Sequence, residues 1–217
     1  MTSSIRCLRS AGLLGLLTLS CFLFCPQPAQ GQLWLQTSRV ITPVENGPTR
    51  VFLDTLVAVM ERKKIEVKRS PEGEQTFTIE ELRTELIEEE GVGLRSGVNH
   101  AFVDYRFSID DGSNFEQRVS AIHFVFRPGP GQSDIPIMYL DARQPWMTQL
   151  LQNKGTDLQT NEAALIPFHR HLGFAQIARQ EETQIVEIGG RTVREGFQEQ
   201  KEALIRKVER LTYESYV

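Results

Sequence analysis

His100-Ala-Phe-Val-Asp-Tyr-Arg-Phe-Ser-Ile109, then Asp110-Asp-Gly-Ser113, then Phe115-Glu-Gln-Arg-Val-Ser-Ala-Ile-His-Phe-Val-Phe126, is the stretch that decides the fold. In its first part Ala101, Val103, Tyr105, Phe107 and Ile109 alternate with His100, Phe102, Asp104, Arg106 and Ser108, which is the period-two pattern of a strand with one buried face. Asp110 to Ser113 supplies turn residues. Phe115 to Phe126 then returns, with Val119, Ala121, His123 and Val125 expected on one side and Glu116, Arg118, Ser120, Ile122 and Phe124 on the other. The run Arg127-Pro128-Gly129-Pro130-Gly131 cannot keep a regular ladder and reads as a loop, after which Ile135 to Leu140 offers a third strand. Pro136 lacks an amide hydrogen, so that strand belongs at a sheet edge.

Upstream of this meander, Leu33 to Ile41 reads as a first strand or extended arm ended by Pro43. Phe52, Leu53, Leu56, Val57 and Met60 recur at three- and four-residue steps, the spacing of an amphipathic helix closed by the cations Arg62, Lys63 and Lys64. Ile65 to Arg69 and Gln75 to Phe77 flank turn residues and predict a small hairpin. Thr78-Ile79-Glu80-Glu81 is a capping box opening a helix whose buried stripe is Leu82, Leu86 and Ile87 and whose end is Gly91.

Downstream, helical spacing resumes at Trp146, Leu150 and Leu151, and again from Asn161 through Ala164, Leu165, Phe168, Leu172 and Ala175, where Pro167 should kink or restart the helix. Gly189-Gly190 joins two short strands, with Val186, Ile188 and Val193 expected on one face, and a charged helix from Glu195 carries Phe197, Leu204, Val208 and Leu211 as its stripe. The expected class is α+β, a mainly antiparallel sheet (a three-strand meander plus short hairpins) packed with four to five helices. The segment 32–217 is expected to be a single α+β domain, with a subdivision conceivable near 91–97.

The first 31 residues read as an address. Arg6 and Arg9 precede an apolar run from Ala11 to Cys25, and Ala29-Gln30-Gly31 places small residues three and one before Gln32, as a signal peptidase requires. The apolar run is about 15 residues, short of the roughly 20 needed to span a bilayer, so cleavage is expected over retention as an anchor. Cys7, Cys21 and Cys25 all lie in this leader, so the mature chain is expected to carry no disulfide and no thiol chemistry. The expected location is periplasmic or extracellular.

The chain carries 24 basic and 28 acidic side chains, and losing Arg6 and Arg9 with the leader takes the net charge from −4 to −6. Charges of both signs are interspersed, so nucleic acid is not an expected partner. No loop has the glycine and lysine spacing that cradles phosphate, since Gly91-Val92-Gly93 follows a helix and has no Lys-Ser or Lys-Thr pair behind it. No cofactor is expected.

Four groups of residues carry candidate chemistry. His100 and Asp104 share a sheet face with Ser120 if the hairpin pairs about its Asp-Asp-Gly-Ser turn, which is catalytic company in residue type. His100 nevertheless stands four residues, about 13 Å, along the strand from Asp104, and a strand hydroxyl has no sharp turn to expose it. His169 and His171 are two apart, so on a helix they point roughly 200° away from each other and cannot easily share a metal ion; only an extended segment after Pro167 would face both one way, with an Asp or Glu from elsewhere to complete the shell, and no metal site is expected. Tyr139, Trp146 and Phe168 are candidates to line an apolar or sugar-binding groove. Leu204, Val208 and Leu211 keep a seven-residue rhythm that would suit a partner helix or a second copy.

These residues favour a non-enzymatic exported protein with a binding or structural role in the cell envelope. The alternatives are a small-ligand carrier with an apolar pocket and a secreted hydrolase using a site around His100 and Asp104. The segment Gln32 to Ile109, through Phe52 to Met60, Ile65 to Val67, Thr76-Phe77-Thr78-Ile79-Glu80-Glu81-Leu82 and Gly91-Val92-Gly93-Leu94, resembles the small βαββα modules at the start of secretins and outer-membrane receptors. That resemblance implies envelope work, although the same order of elements occurs in ferredoxin-like folds.

Overall fold

In the computed structural model, residues 34–45, 47–110, 114–129, 131–157, 165–193 and 198–215 are described, and the leader and the Asp111-Gly112-Ser113 turn lie outside them. The period-two segments form β1 (Trp34–Pro43), β2 (His100–Ile109), β3 (Phe115–Phe126) and β4 (Ile135–Asp141). With β7 (Gln184–Ile188) and β8 (Arg191–Thr192) they make one six-stranded antiparallel sheet in the order β4-β3-β2-β1-β7-β8. A second, two-stranded sheet pairs β5 (Gly155–Asp157) with β6 (Leu165–Pro167).

Six helices are present among the described residues: α1 (Gly47–Lys63), α2 (Ile79–Glu90), α3 (Pro145–Asn153), α4 (Phe168–His171), α5 (Phe174–Ala178) and α6 (Gln198–Glu214). The class is α+β, with more helices than the four to five expected. The difference lies in the segment where the helix is expected to kink or restart at Pro167: a helix does begin at Phe168, but it is short and what precedes it is not helical. Leu165 and Ile166 are extended instead, because Pro167 disfavours the helical region for the residue before it, and Gly173 separates α4 from α5. At Gly155 a Cβ would sit 1.8 Å from the Ile166 carbonyl oxygen, so only glycine lets β5 approach β6 this closely.

The local signals that close on themselves come out as read. Thr78 accepts from the Glu81 amide (3.3 Å) while the Glu81 carboxylate accepts from the Thr78 amide (2.8 Å), and Gly91 ends α2 at φ +66. Gly189 and Gly190, at φ +59 and +76, form the two-residue turn between β7 and β8. Pro136 does place β4 at the sheet edge. Four expectations change. The Ile65–Phe77 hairpin shrinks to one bridge, Val67 with Phe77, and Lys68 instead pairs with Tyr139 on β4. Ile87 is 60% exposed, since α2 turns only Ile79, Leu82 and Leu86 inward. A bulge opposite Arg39/Val40 puts Ile185, not Val186, opposite Val40 in the core. A second bulge, between Asp104 and Tyr105, pairs Tyr105 with Val119 and Asp104 with Ala121, leaving Ser120 unpaired and breaking the simple alternation expected of β3.

One face of the sheet builds the core. Val40, Val103, Tyr105, Phe107, Ile122 and Phe124 are all buried there, under α1, α4 and α5. Phe52 of α1 meets Phe168 of α4 edge-on at 5.1 Å, and Phe174 of α5 meets Tyr105 and Phe107 at 5.3 and 5.0 Å. Leu94 and Val98 belong to the same core. The fully buried Tyr105 hydroxyl donates to the Leu172 carbonyl at 2.8 Å, and burial alone drives its pKa far above the usual range. Tyr105→Phe should therefore cost about 1–3 kcal/mol by stranding that carbonyl, read as a fall in melting temperature of several degrees. An unchanged melting temperature would show that the bond contributes nothing.

Among the described residues no helix is long and apolar enough to cross a membrane.

Candidate functional site

The opposite face of the sheet is organised in rows set by strand register. The first row runs Glu187–Arg39–Asp104–Ala121–Asp141 across β7, β1, β2, β3 and β4. The second runs Gln184–Ile41–Phe102–His123–Tyr139, and the third Pro43–His100–Val125–Pro136. Alternation forces this content: every side chain two residues from His100 on β2 emerges on the same side as it does.

Charge in the first row is largely offset, two arginines standing against three carboxylates. Arg39 grips Asp104 in a two-pronged bond, Nε to Oδ1 at 2.6 Å and Nη2 to Oδ2 at 2.9 Å, and Glu187 stands 4.0 Å from its Nη1. Their side chains are 44%, 27% and 32% exposed. Arg143 closes the row by bonding Asp141 at 2.9 and 2.8 Å, which holds the Asp141 carboxyl below its ordinary range. Fork-to-fork pairs of this kind fix orientation as well as charge.

The second row is aromatic and apolar. Ile41 is buried, Phe102, His123 and Tyr139 are half-buried, and the His123 ring lies 6.2 Å from both Phe102 and Tyr139. His123 Nε2 is buried with no partner among the described residues. Burial pushes this imidazole below the usual histidine pKa, against the opposing pull of its bond to the Arg69 main chain. A histidine whose folded pKa lies below its unfolded value takes up a proton more readily when unfolded. It therefore contributes stability above about pH 6.5 that is lost as pH falls through that range. The melting temperature should drop between pH 7.5 and pH 5, and His123→Phe should flatten part of that slope, the rest coming from His100 and His171, whose pKa values burial also lowers. An unchanged slope in the variant would assign the effect elsewhere.

At the third row the face deepens into a concavity of about 470 Å³ lined by His100, Arg127, Gly129, Gly131, Gln132 and Asp134. Asn99 builds it. Its side-chain amide donates to the Arg127 carbonyl (2.8 Å) while its oxygen accepts from the Arg127 amide (2.8 Å), pinning the start of the glycine-proline loop beside β2. Arg127 Nε then donates to Asp134 Oδ1 at 2.9 Å, tying the two ends of the loop together. A second concavity, of about 400 Å³, lies between β7 and α6 and is lined by Ile185, Val186, Gln198, Lys201, Glu202 and Ile205 among others.

The residues singled out from sequence are distributed over both sides of the sheet. His100 and Asp104 share the rowed face, but Asp104 is held by Arg39, and His100 Nδ1 lies 3.0 Å from Asn99 Oδ1. The Ser120 hydroxyl donates to the Asp104 carbonyl at 3.1 Å, so the three do not assemble into a relay. Tyr139 stands in the second row, half-buried Trp146 on α3 donates to Gln144 at 2.6 Å, and Phe168 is fully buried against Phe52; none of the three is among the described lining residues of these two concavities. Leu204 and Val208 are buried in the chain's own core and Leu211 is half-buried. His169 faces the Leu151 carbonyl at 3.4 Å and His171 the Thr156 hydroxyl at 2.5 Å, so their side chains part company as helix geometry requires. Among the described residues no group of three or more metal-ligating side chains converges.

Arg39, Gln132 and Asp134 are not singled out in the sequence reading, and Arg127 enters it only as the start of a loop. For the last three a signal existed: an arginine and an aspartate bracketing a glycine-proline run at a strand end mark a pinned loop. Comparison with protein-family models, with curated proteins and with solved structures finds no match to this chain.

Proposed function

We propose that this is an exported, non-enzymatic binding protein of the cell envelope, which engages its partner through the rowed face of the sheet. The observation that carries the reading is the makeup of that face. Phe102, His123 and Tyr139 form an aromatic strip between the oriented ion pairs of Glu187–Arg39–Asp104 and Asp141–Arg143 on one side and a concavity on the other. Aromatic anchors within a charged rim are the composition of recognition surfaces, where the rings supply buried area and the rim supplies register. Export is supported by the leader pattern before Gln32 and by the confinement of all three cysteines to it.

The test is site-specific photo-crosslinking in the living host. A photoreactive residue replacing Tyr139 should capture a partner of defined mass, while the same residue at exposed Ala58 of α1 should not. Capture from Ala58 with none from Tyr139 would move the recognition surface to the helical side and end this reading.

A further inference from the structure

We propose that the concavity at the end of the rowed face is a specific site for a small hydroxylated carboxylate, of the kind represented by sugar acids. This deepens the binding reading by naming a ligand class for one part of the same face.

The argument begins with hydrogen-bond direction. Asn99 is locked from both sides, since its Nδ2 donates to the Arg127 carbonyl and its Oδ1 accepts from the Arg127 amide. Oδ1 is therefore an acceptor toward His100 as well, and the 3.0 Å contact with His100 Nδ1 requires that nitrogen to carry the hydrogen. In a neutral ring the lone pair then sits on Nε2. Burial, and after it the neighbouring Arg127 cation, lower the pKa of this ring and so favour its neutral form. His100 accordingly brings an acceptor to the concavity it lines.

Arg127 brings the opposite chemistry. Only its Nε is engaged, with Asp134, and its two Nη groups donate to no side chain among the described residues. The guanidinium is thus oriented by one bond and has a two-nitrogen edge left, the geometry that takes a carboxylate in parallel bonds. Gln132 adds an amide that both donates and accepts, and Asp134 adds carboxylate oxygens that accept from hydroxyls. At φ +147 and +81 Gly129 and Gly131 hold loop conformations that other residues rarely adopt. One cationic fork beside several acceptors matches a molecule with one carboxylate and neighbouring hydroxyl donors. An apolar acid would offer no donor to His100 Nε2 or to Asp134 Oδ2, the oxygen that Arg127 does not hold. The volume of about 470 Å³ falls within the range of small-ligand pockets.

The experiment is calorimetric titration of the purified protein with D-glucuronate, D-gluconate, D-glucose and acetate at pH 7.5, with the His100 ring signals followed by NMR. At least one of the two hydroxylated acids should bind and shift those signals, with glucose and acetate weaker by about tenfold or more. Arg127→Gln should remove acid binding. Arg127→Lys, which keeps the charge and loses the fork, should retain part of it. His100→Ala should weaken the hydroxylated acid about tenfold and leave acetate unchanged. Should Arg127→Gln disturb the loop, the His100→Ala discrimination still decides the matter. Binding of neither hydroxylated acid at millimolar concentration, or binding indifferent to both His100→Ala and Arg127→Lys, overturns the proposal. Crosslinking from Tyr139 is independent of this outcome, so loss of the small-acid site and loss of the docking face can be told apart.

Discussion

Replacing Phe168 by alanine is expected to lower the melting temperature by about 10 °C, whereas Tyr139→Ala should move it by no more than a few degrees. Phe168 is fully buried, its ring is set edge-on against Phe52 at 5.1 Å, and Phe52 in turn lies 6.4 Å from Phe124 of the sheet. Truncation there removes the ring's burial and leaves a cavity between α1, α4 and β3, which costs roughly 3–5 kcal/mol in well-packed cores. At roughly 2–4 °C per kcal/mol for a chain of this size, the shift is large and easily read by calorimetry. Tyr139 is only half-buried and faces the other side of the sheet, so its loss opens no core cavity. Similar, small shifts for both variants would mean that Phe168 is a groove residue after all, as its place near an element boundary suggests from sequence.

Val208→Asp is expected to abolish the folded state, while Leu211→Asp should cost about 1 kcal/mol. Val208 has no exposed surface and shares the core with Leu204 and Ile205, and the adjoining Glu209 is fixed to Arg179 of the turn after α5 by bonds of 2.6 and 2.9 Å. An unpaired carboxylate in that setting cannot be hydrated, and its burial places it among the few substitutions costing more than about 4 kcal/mol. Size-exclusion chromatography with circular dichroism separates the outcomes. Loss of helical signal and aggregation are predicted. A folded protein of smaller size would instead identify the stripe as the seam of an oligomer.

The elements that could be read from residues are those whose signals are complete within a few positions. The Thr78–Glu81 box, the Gly91 stop, the Gly189-Gly190 turn and the alternation of β2 each satisfy their own hydrogen bonds or bury their own face. β1 is different: its alternation is partial, and its place at the middle of the sheet depends on pairing with β2 some sixty residues later and with β7 far beyond that. Bulges were equally silent. A single unpaired Ser120 carries Val119 to the side of Tyr105, and no residue type announces it.

The site was legible in fragments for the same reason. His100 stood out by its chemistry, but the groups that give it meaning, Arg127 and Asp134, arrive across the β2–β3 pairing and are joined to it through Asn99. Asp104 looked like a partner for His100 until β1 brought Arg39 into register with it. Phe168 and Val208 lie buried within the chain, and an apolar stripe in the sequence does not say what covers it.

Both functional proposals need the rowed face to work outside the cytoplasm, so the most direct test is the intact mass of the protein recovered from fractionated host cells. A chain beginning at Gln32, found in the periplasm or medium and free of cysteine, is the predicted result. Full-length protein beginning at Met1 and confined to the cytosol would contradict the account.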